Sequence, residues 1–316
     1  MAPKRPTGFF ARLKEFLDWD APDDPGARLM YYVENGRVDK VKASLGSIHL
    51  RSSVMSGDPS PLQVAAARGD PRMVELLLAY AGTERGARTL ALRKGPLWRT
   101  PENSEDFALE DCPKNALALA RLSGDRETYA ILLKDAEQAE LDWALYAATL
   151  KKDLPWMTEL AERGASPNAP DVYRYDGWTP FLRAVGADFL AGFELLLEKG
   201  GDLRLGRCPP DYGHDNDVSR YSTPLYLSCV NGNARIAEKL LAAGADPDRG
   251  ITESDDARIR TPLMAAFDRD DADLGRLLVE RGADPALLAG KWHDGRSVRE
   301  EQISHPRPGW DFLAAA

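Results

Sequence analysis

The sequence predicts an all-α protein: an array of about seven helix-turn-helix repeats with helical caps at its ends. Three observations predict it. A short phrase recurs as Ser60-Pro61-Leu62, Thr179-Pro180-Phe181, Thr223-Pro224-Leu225 and Thr261-Pro262-Leu263. Each phrase leads to a leucine cluster: Leu76-Leu77-Leu78, Leu195-Leu196-Leu197, Leu240-Leu241 or Leu277-Leu278. Glycines punctuate the text, first at Gly69 and Gly232, then at Gly164, Gly200, Gly244 and Gly282.

Each part of the phrase has a mechanical role. Thr or Ser before Pro is a helix start, because the hydroxyl caps free backbone N–H groups and Pro fits the first helical position. The first glycine ends that short helix in the left-handed conformation that other residues resist. A second helix follows, with Val74, Leu77 and Leu78, or Ile236, Leu240 and Leu241, along one face. It stops at the second glycine, after which Ala-Asp-Pro or similar text turns the chain into a hairpin-like loop. One such helix pair cannot bury its apolar side alone, so neighbours must stack.

The clear starts are Ser60, Thr179, Thr223 and Thr261; weaker ones fall at Ala27, Asn115 and Trp143, placed by Gly36, Gly124 and Gly164. Successive spacings are 33, 55, 28, 36, 44 and 38 residues. This text resembles the ankyrin repeat, whose period is near 33. The resemblance covers residues 27–285 and implies a curved solenoid whose usual role is to grip another protein. Against that period, insertions stand near residues 84–114 and 203–222, and the loop before the fourth repeat is trimmed.

Residues 1–26 read as an N-terminal capping helix and linker. Phe9, Leu13, Phe16 and Leu17 share one helical face, which suits a cover for the first repeat better than a partner- or membrane-binding helix. Residues 286–316 read as a C-terminal cap. Asp294 to Val298 resembles the approach to an eighth repeat, and Phe312-Leu313 is available to plug the last groove.

A chain of 316 residues could form two compact domains by length, but the repeats argue for one elongated unit. It has no apolar run long enough to span a membrane, and Arg12, Lys14 and Glu15 interrupt any secretory signal. Cys112, Cys208 and Cys229 are scattered, which fits a reduced, cytoplasmic setting. The net charge of −9 is uneven. Residues 1–100 carry 16 Lys and Arg against 11 Asp and Glu, whereas residues 101–316 carry 25 against 39. The acidic part repels nucleic acid and favours a protein partner with basic patches, unless it only keeps a long array in solution.

Catalytic text is scarce. None of the four histidines forms a helix-spaced pair with a Glu, and no phosphate-cradling glycine loop is present. Asp211, His214, Asp215 and Asp217 crowd one insertion but do not follow a calcium-loop pattern. No enzyme activity, cofactor or metal is expected.

The resemblance implies a binding face formed by the hairpin tips and first helices. The residue before Thr-Pro, and the two before the first glycine, project there. In this sequence they are Trp178, Ser222 and Arg260, then Ala67-Arg68, Val230-Asn231 and Asp268-Arg269. The tip before the fifth repeat adds Tyr173, Arg174 and Tyr175 to Trp178, a surplus of rings where polar text is usual. The insertions add Tyr212, His214, Arg220 and Tyr221, and Trp98 with Arg99. Tyr, Trp and Arg are favoured interface anchors. For any single ring, packing on the neighbouring hairpin is the simpler outcome; the cluster as a whole favours a binding surface. The composition gives a bacterial impression. The specific role it suggests is a cytoplasmic immunity protein that binds and inhibits a toxin or effector. The alternatives are a regulator or scaffold for an endogenous protein, and a host-directed effector.

Overall fold

The computed structural model describes residues 21–22, 25–45, 60–81, 115–169, 178–204, 222–253, 258–287 and 296–314. These fall into two units, Met1–Glu140 and Leu141–Ala316. The expected capping helix over residues 8–18 lies outside the described residues.

In the first unit, α1 (Pro25–Glu34) pairs with α2 (Val38–Leu45), α3 (Pro61–Arg68) with α4 (Pro71–Ala81), and α5 (Ala116–Ser123) with α6 (Arg126–Lys134). First helices pack on first helices, α1 on α3 on α5, and second helices stack in the same way. The two layers bury Leu29, Val33, Leu62, Ala65, Leu117 and Ala118 from the first helices against Val41, Met73, Val74 and Leu77 from the second. Each large aliphatic side chain buried in this way contributes about 1.5–3 kcal/mol.

The second unit repeats the plan. Helix α7 (Gln138–Leu150) crosses the boundary between the units and leads to α8 (Leu154–Glu162). The pairs α9 (Pro180–Gly186) with α10 (Leu190–Glu198), α11 (Pro224–Asn231) with α12 (Ala234–Ala242), and α13 (Pro262–Asp268) with α14 (Ala272–Glu280) follow. Here α9, α11 and α13 form one layer and α8, α10 and α12 the other. A short antiparallel ribbon, β1 (Ile251–Glu253) with β2 (Arg258–Arg260), builds the hairpin before α13, with Ile251 opposite Arg260.

The caps act as expected. Ser60 Oγ accepts the Gln63 N–H at 3.2 Å, while Gln63 Oε1 accepts the Ser60 N–H at 2.7 Å. Thr179, Thr223 and Thr261 each accept from the N–H three residues on, at 3.1, 3.2 and 3.3 Å. Asn115 does the same with an amide oxygen, at 2.7 Å. All five are buried, so each cap bond is shielded from water; such a cap is worth about 1 kcal/mol.

Two weak starts differ from their expected positions. The first helix of the first repeat begins at Pro25, ahead of Ala27, and that of the fourth begins at Gln138, ahead of Trp143. Trp143 has no capping group, so the helix runs through the position, and only residues 135–137 separate it from α6. The register nonetheless holds throughout. Nine residues after each start the backbone turns left-handed, at Gly36, Gly69, Gly124, Lys152, Asp188, Gly232 and Asp270. Three of these are not glycine, although a side chain in this conformation costs roughly 1–2 kcal/mol.

The C-terminal end starts an eighth repeat. Ser297 caps α15 (Val298–Ser304) in a reciprocal pair with Glu300, and α15 packs on α13. The plug is larger than expected. Trp310 is fully buried, edge-on to Phe267 at 4.8 Å, and its indole N–H donates to Asp270 Oδ1 at 3.1 Å. Leu313 is buried behind it, whereas Phe312 is only half-buried and stacks on the Trp310 ring at 5.6 Å.

Candidate protein-binding face

Side chains near the ends of the first helices meet the helix ends of neighbouring repeats, and a shared offset explains how. The residue just before the left-handed turn reaches back to the preceding repeat. Arg68 Nη1 donates to the Glu34 carbonyl, and Arg269 Nη1 donates to the Val230 carbonyl at 3.1 Å. Each guanidinium lies over the preceding left-handed glycine. A methyl group on Gly36 would come within 3.4 Å of Arg68 Nη2, and one on Gly232 within 2.6 Å of Arg269 Nη2. Asn231, at the same offset, points Nδ2 at the Gly186 carbonyl across a long 3.4 Å. The last carbonyls of a helix lack intrahelical donors, so these bonds satisfy them and place a cation at the negative end of the dipole.

The end of α9 is served by three side chains. Asn233 Nδ2 donates to the Val185 carbonyl at 2.9 Å, Asn231 reaches Gly186, and Lys152 Nζ donates to the Ala187 carbonyl at 2.8 Å. Beside it stands a stack of rings and charge. Arg183 Nε donates to the Tyr146 hydroxyl at 2.7 Å. Its guanidinium carbon lies 5.7 Å from the Tyr146 ring centroid and 4.2 Å from that of Trp178. The Cη2–Cζ3 edge of the Trp178 ring lies against Gly186, where an added methyl would come within 3.1 Å of it. Tyr146 is buried, but Trp178 and Arg183 are both half-exposed.

The structure therefore divides the expected binding residues. Arg68, Asn231 and Arg269 are exposed but have their polar ends engaged in joins between repeats. Ser222 is buried and Arg260 is half-buried at the end of β2. Trp178 packs on its own helix and is partly exposed. Trp98, Arg99, Tyr173, Arg174, Tyr175, Tyr212, His214, Arg220 and Tyr221 lie outside the described residues, as do Asp211, Asp215 and Asp217. Sequence reasoning missed Arg183, Tyr146 and Lys152. The signal for Arg183 was present, since a basic residue one helical turn beyond a Trp-Thr-Pro start is placed to cover that ring.

At the opposite edge the loop bases form a ladder. Asn168 Oδ1 accepts the Asp202 N–H at 2.9 Å, and Asp248 Oδ1 accepts the Asp284 N–H at 2.9 Å. Arg204 occupies the same place between the fifth and sixth repeats, and a guanidinium accepts nothing, so that rung cannot form. An open cleft of about 670 Å³ lies there, lined by Asp202, Arg204, Asp246 and Arg249 among others. Among the described residues no group of three or more His, Cys, Asp and Glu is arranged to hold a metal ion. The Cys229 thiol is buried, which pushes its pKa up to about 12 and makes it a packing group. No helix among the described residues is long and apolar enough to cross a membrane.

Residues 220–250, which span α11 and α12, match the ankyrin repeat family model. The chain is 26% identical over 284 residues to ankyrin repeat and KH domain-containing protein mask-1 of Caenorhabditis elegans, covering 83% of this chain and 9% of that protein. It is 37% identical over 70 residues to ankyrin repeat and SOCS box protein 5 of Oryctolagus cuniculus, covering 22% and 20%. Over 188 residues it is 27% identical to NF-kappa-B inhibitor alpha of Sus scrofa, covering 59% and 54%. The chain thus spans only 9%, 20% and 54% of the lengths of these three relatives. The crystal structure of the human ASB11 ankyrin repeat domain aligns with a TM-score of 0.49 at 21% identity, over 81% of this chain and 97% of that one. Residues 220–250 are an ankyrin repeat, and the helix pairs on either side share its register, caps and left-handed turns. These three relatives are animal proteins and lend no support to the bacterial impression drawn from composition.

Proposed function

We propose that this chain is a non-catalytic protein-binding module that holds its partner against the first-helix face of residues 141–269. One observation carries the reading: the Trp178–Arg183 stack is half-exposed on a rigid helix pair, and its rotamers are already fixed by Tyr146 and Gly186. A rigid Trp and Arg are the residue types that dominate binding energy, and ordering them in advance removes part of the cost of association. The ankyrin repeat at residues 220–250 agrees with this use.

Regulation of an endogenous protein is the form we favour, since one similar protein, of which 54% aligns, is itself named an inhibitor. Neutralisation of a toxin is another form of the same binding, and the genes beside this one would separate the two. The test places a photo-crosslinking residue at Ala187 on the first-helix face, or at Glu238 on the second-helix face, in the native cell. Capture of one protein from Ala187 and none from Glu238 is expected. Trp178→Ala should then weaken binding of that protein by about 2 kcal/mol, roughly thirtyfold, with folding retained. Equal crosslinking from both faces, or no loss with Trp178→Ala, defeats the reading.

A further inference from the structure

We propose that the end of the second unit is a peptide-binding site in its own right, with residues 306–313 as its built-in ligand. A partner segment of the same chemistry takes their place: an arginine, a tryptophan three residues on, and a leucine three further, as in Arg307, Trp310 and Leu313. This site is separate from the first-helix face and does not depend on Trp178.

The contacts run between the segment and the helices around it, as they do for a bound peptide. Gln302 on α15 clasps the Arg307 main chain, donating Nε2 to its carbonyl at 3.0 Å and accepting its N–H on Oε1 at 2.9 Å. The Arg307 guanidinium donates to the Phe267 carbonyl, and its carbon lies 4.1 Å from the Phe267 ring centroid. Trp310 is buried against Phe267 and gives its indole N–H to Asp270, and Leu313 is buried. Gly309, at φ 84°, brings the segment so close over α14 that a methyl there would lie 3.3 Å from Ala272 Cβ. By contrast Ser304, His305 and Pro306, which lead into the segment, are exposed. The scaffold departs from local preference at two places to receive one ring. In the preceding repeat, 38 residues earlier, Gly232 holds the left-handed turn and Ala237 stands inside the second helix. Here Asp270 takes the turn at φ 59°, where glycine is at ease, and Gly275 stands inside α14, where alanine is the better helix former. Both face Trp310: Asp270 accepts its N–H, and a methyl on Gly275 would collide with its ring. Apolar cover alone would close the end of an array; an acceptor and a notch fitted to one ring select a tryptophan.

The test uses the full chain with a protease recognition sequence inserted between His305 and Pro306, cleaved after folding and freed of the released fragment. The probe is a fluorescein-labelled peptide of residues 306–314, followed by anisotropy. The cleaved chain should bind it with a Kd of about 10 μM. The uncleaved chain should bind about a hundredfold more weakly, since its own segment competes at an effective concentration of about 1 mM. A Trp310→Ala peptide should lose about thirtyfold, and Gly275→Ala in the cleaved chain should cost the parent peptide about as much. Asp270→Gly should weaken the parent peptide about fivefold and leave the Trp310→Ala peptide unchanged, because its effect passes through the indole. Equal binding by cleaved and uncleaved chains, no binding by a folded cleaved chain, or indifference to Trp310→Ala would overturn the proposal. If cleavage unfolds the last repeat, added peptide must restore its circular dichroism; failure to restore it leaves the segment a cap and overturns the site as well.

Discussion

Asp248→Asn should stabilise the second unit. Asp248 is half-buried, and its carboxyl receives the Asp284 N–H at 2.9 Å while lying near Asp246 and Asp284. Burial raises its pKa above the ordinary 3.8, the Asp284 bond lowers it, and repulsion from Asp246 and Asp284 raises it again. The ionised form therefore works against the native state near neutrality. At the same offset an earlier repeat uses Asn168, which accepts from Asp202 at 2.9 Å and also donates Nδ2 to the Gly200 carbonyl at 2.8 Å. Gly282 holds the place of Gly200 in the repeat that follows Asp248. The substitution keeps the acceptor, removes the charge and supplies a donor for Gly282. A net hydrogen bond is worth about 1 kcal/mol, and partial exposure reduces this to about 0.5–1 kcal/mol. That is about 2 °C in melting temperature for a unit of this size. A carboxyl with a raised native pKa favours the folded state as pH falls through that value. Urea unfolding should thus show the variant ahead near neutrality, with the gap closing on acidification as the wild-type carboxyl takes its proton. A variant no more stable than wild type near neutrality, or a gap that ignores pH, would refute the reasoning.

Asp188→Gly should add about 1 kcal/mol of stability by relieving the left-handed strain at φ 49°, read from urea midpoints. Asp270→Gly at φ 59° should gain nothing, because it also removes the acceptor of the Trp310 indole. Gly275→Ala should displace the C-terminal plug, since its methyl would come within 2.4 Å of the Trp310 ring; the expected cost is about 1–3 kcal/mol, with a shift in Trp310 fluorescence. In a Cys112→Ser, Cys208→Ser background the remaining thiol, Cys229, should resist a disulfide reagent in the native state and react at once in urea, as a buried group with its pKa near 12 requires.

What could be read in advance follows from how local each device is. A Ser or Thr cap acts on an N–H three residues away, so Ser60, Thr179, Thr223 and Thr261 were legible, whereas Asn115 was placed only by Gly124. The left-handed turn was legible only where glycine holds it. Lys152, Asp188 and Asp270 hid the same geometry, because the surrounding repeat imposes it on residues that would not choose it. Trp310 escaped notice because its partners, Phe267 and Asp270, lie about forty residues earlier. Arg68 and Arg269 were read as contacts for a partner because an exposed arginine suits both uses; only coordinates show the carbonyl each one holds.

Those two arginines carry a further consequence. Each grips a main-chain oxygen, a group that every residue provides, so the join does not depend on which side chain the neighbouring repeat carries there. A unit built on this plan can be duplicated, deleted or exchanged and still fasten to whatever stands before it. Drift at Glu34 or Val230 leaves the seam intact, so long as the glycine beneath each guanidinium, Gly36 or Gly232, is kept. Lineages of such proteins are free to lengthen by whole units while the exposed faces diversify independently, and the cost of trying a new arrangement is set by the caps and glycines inside each unit.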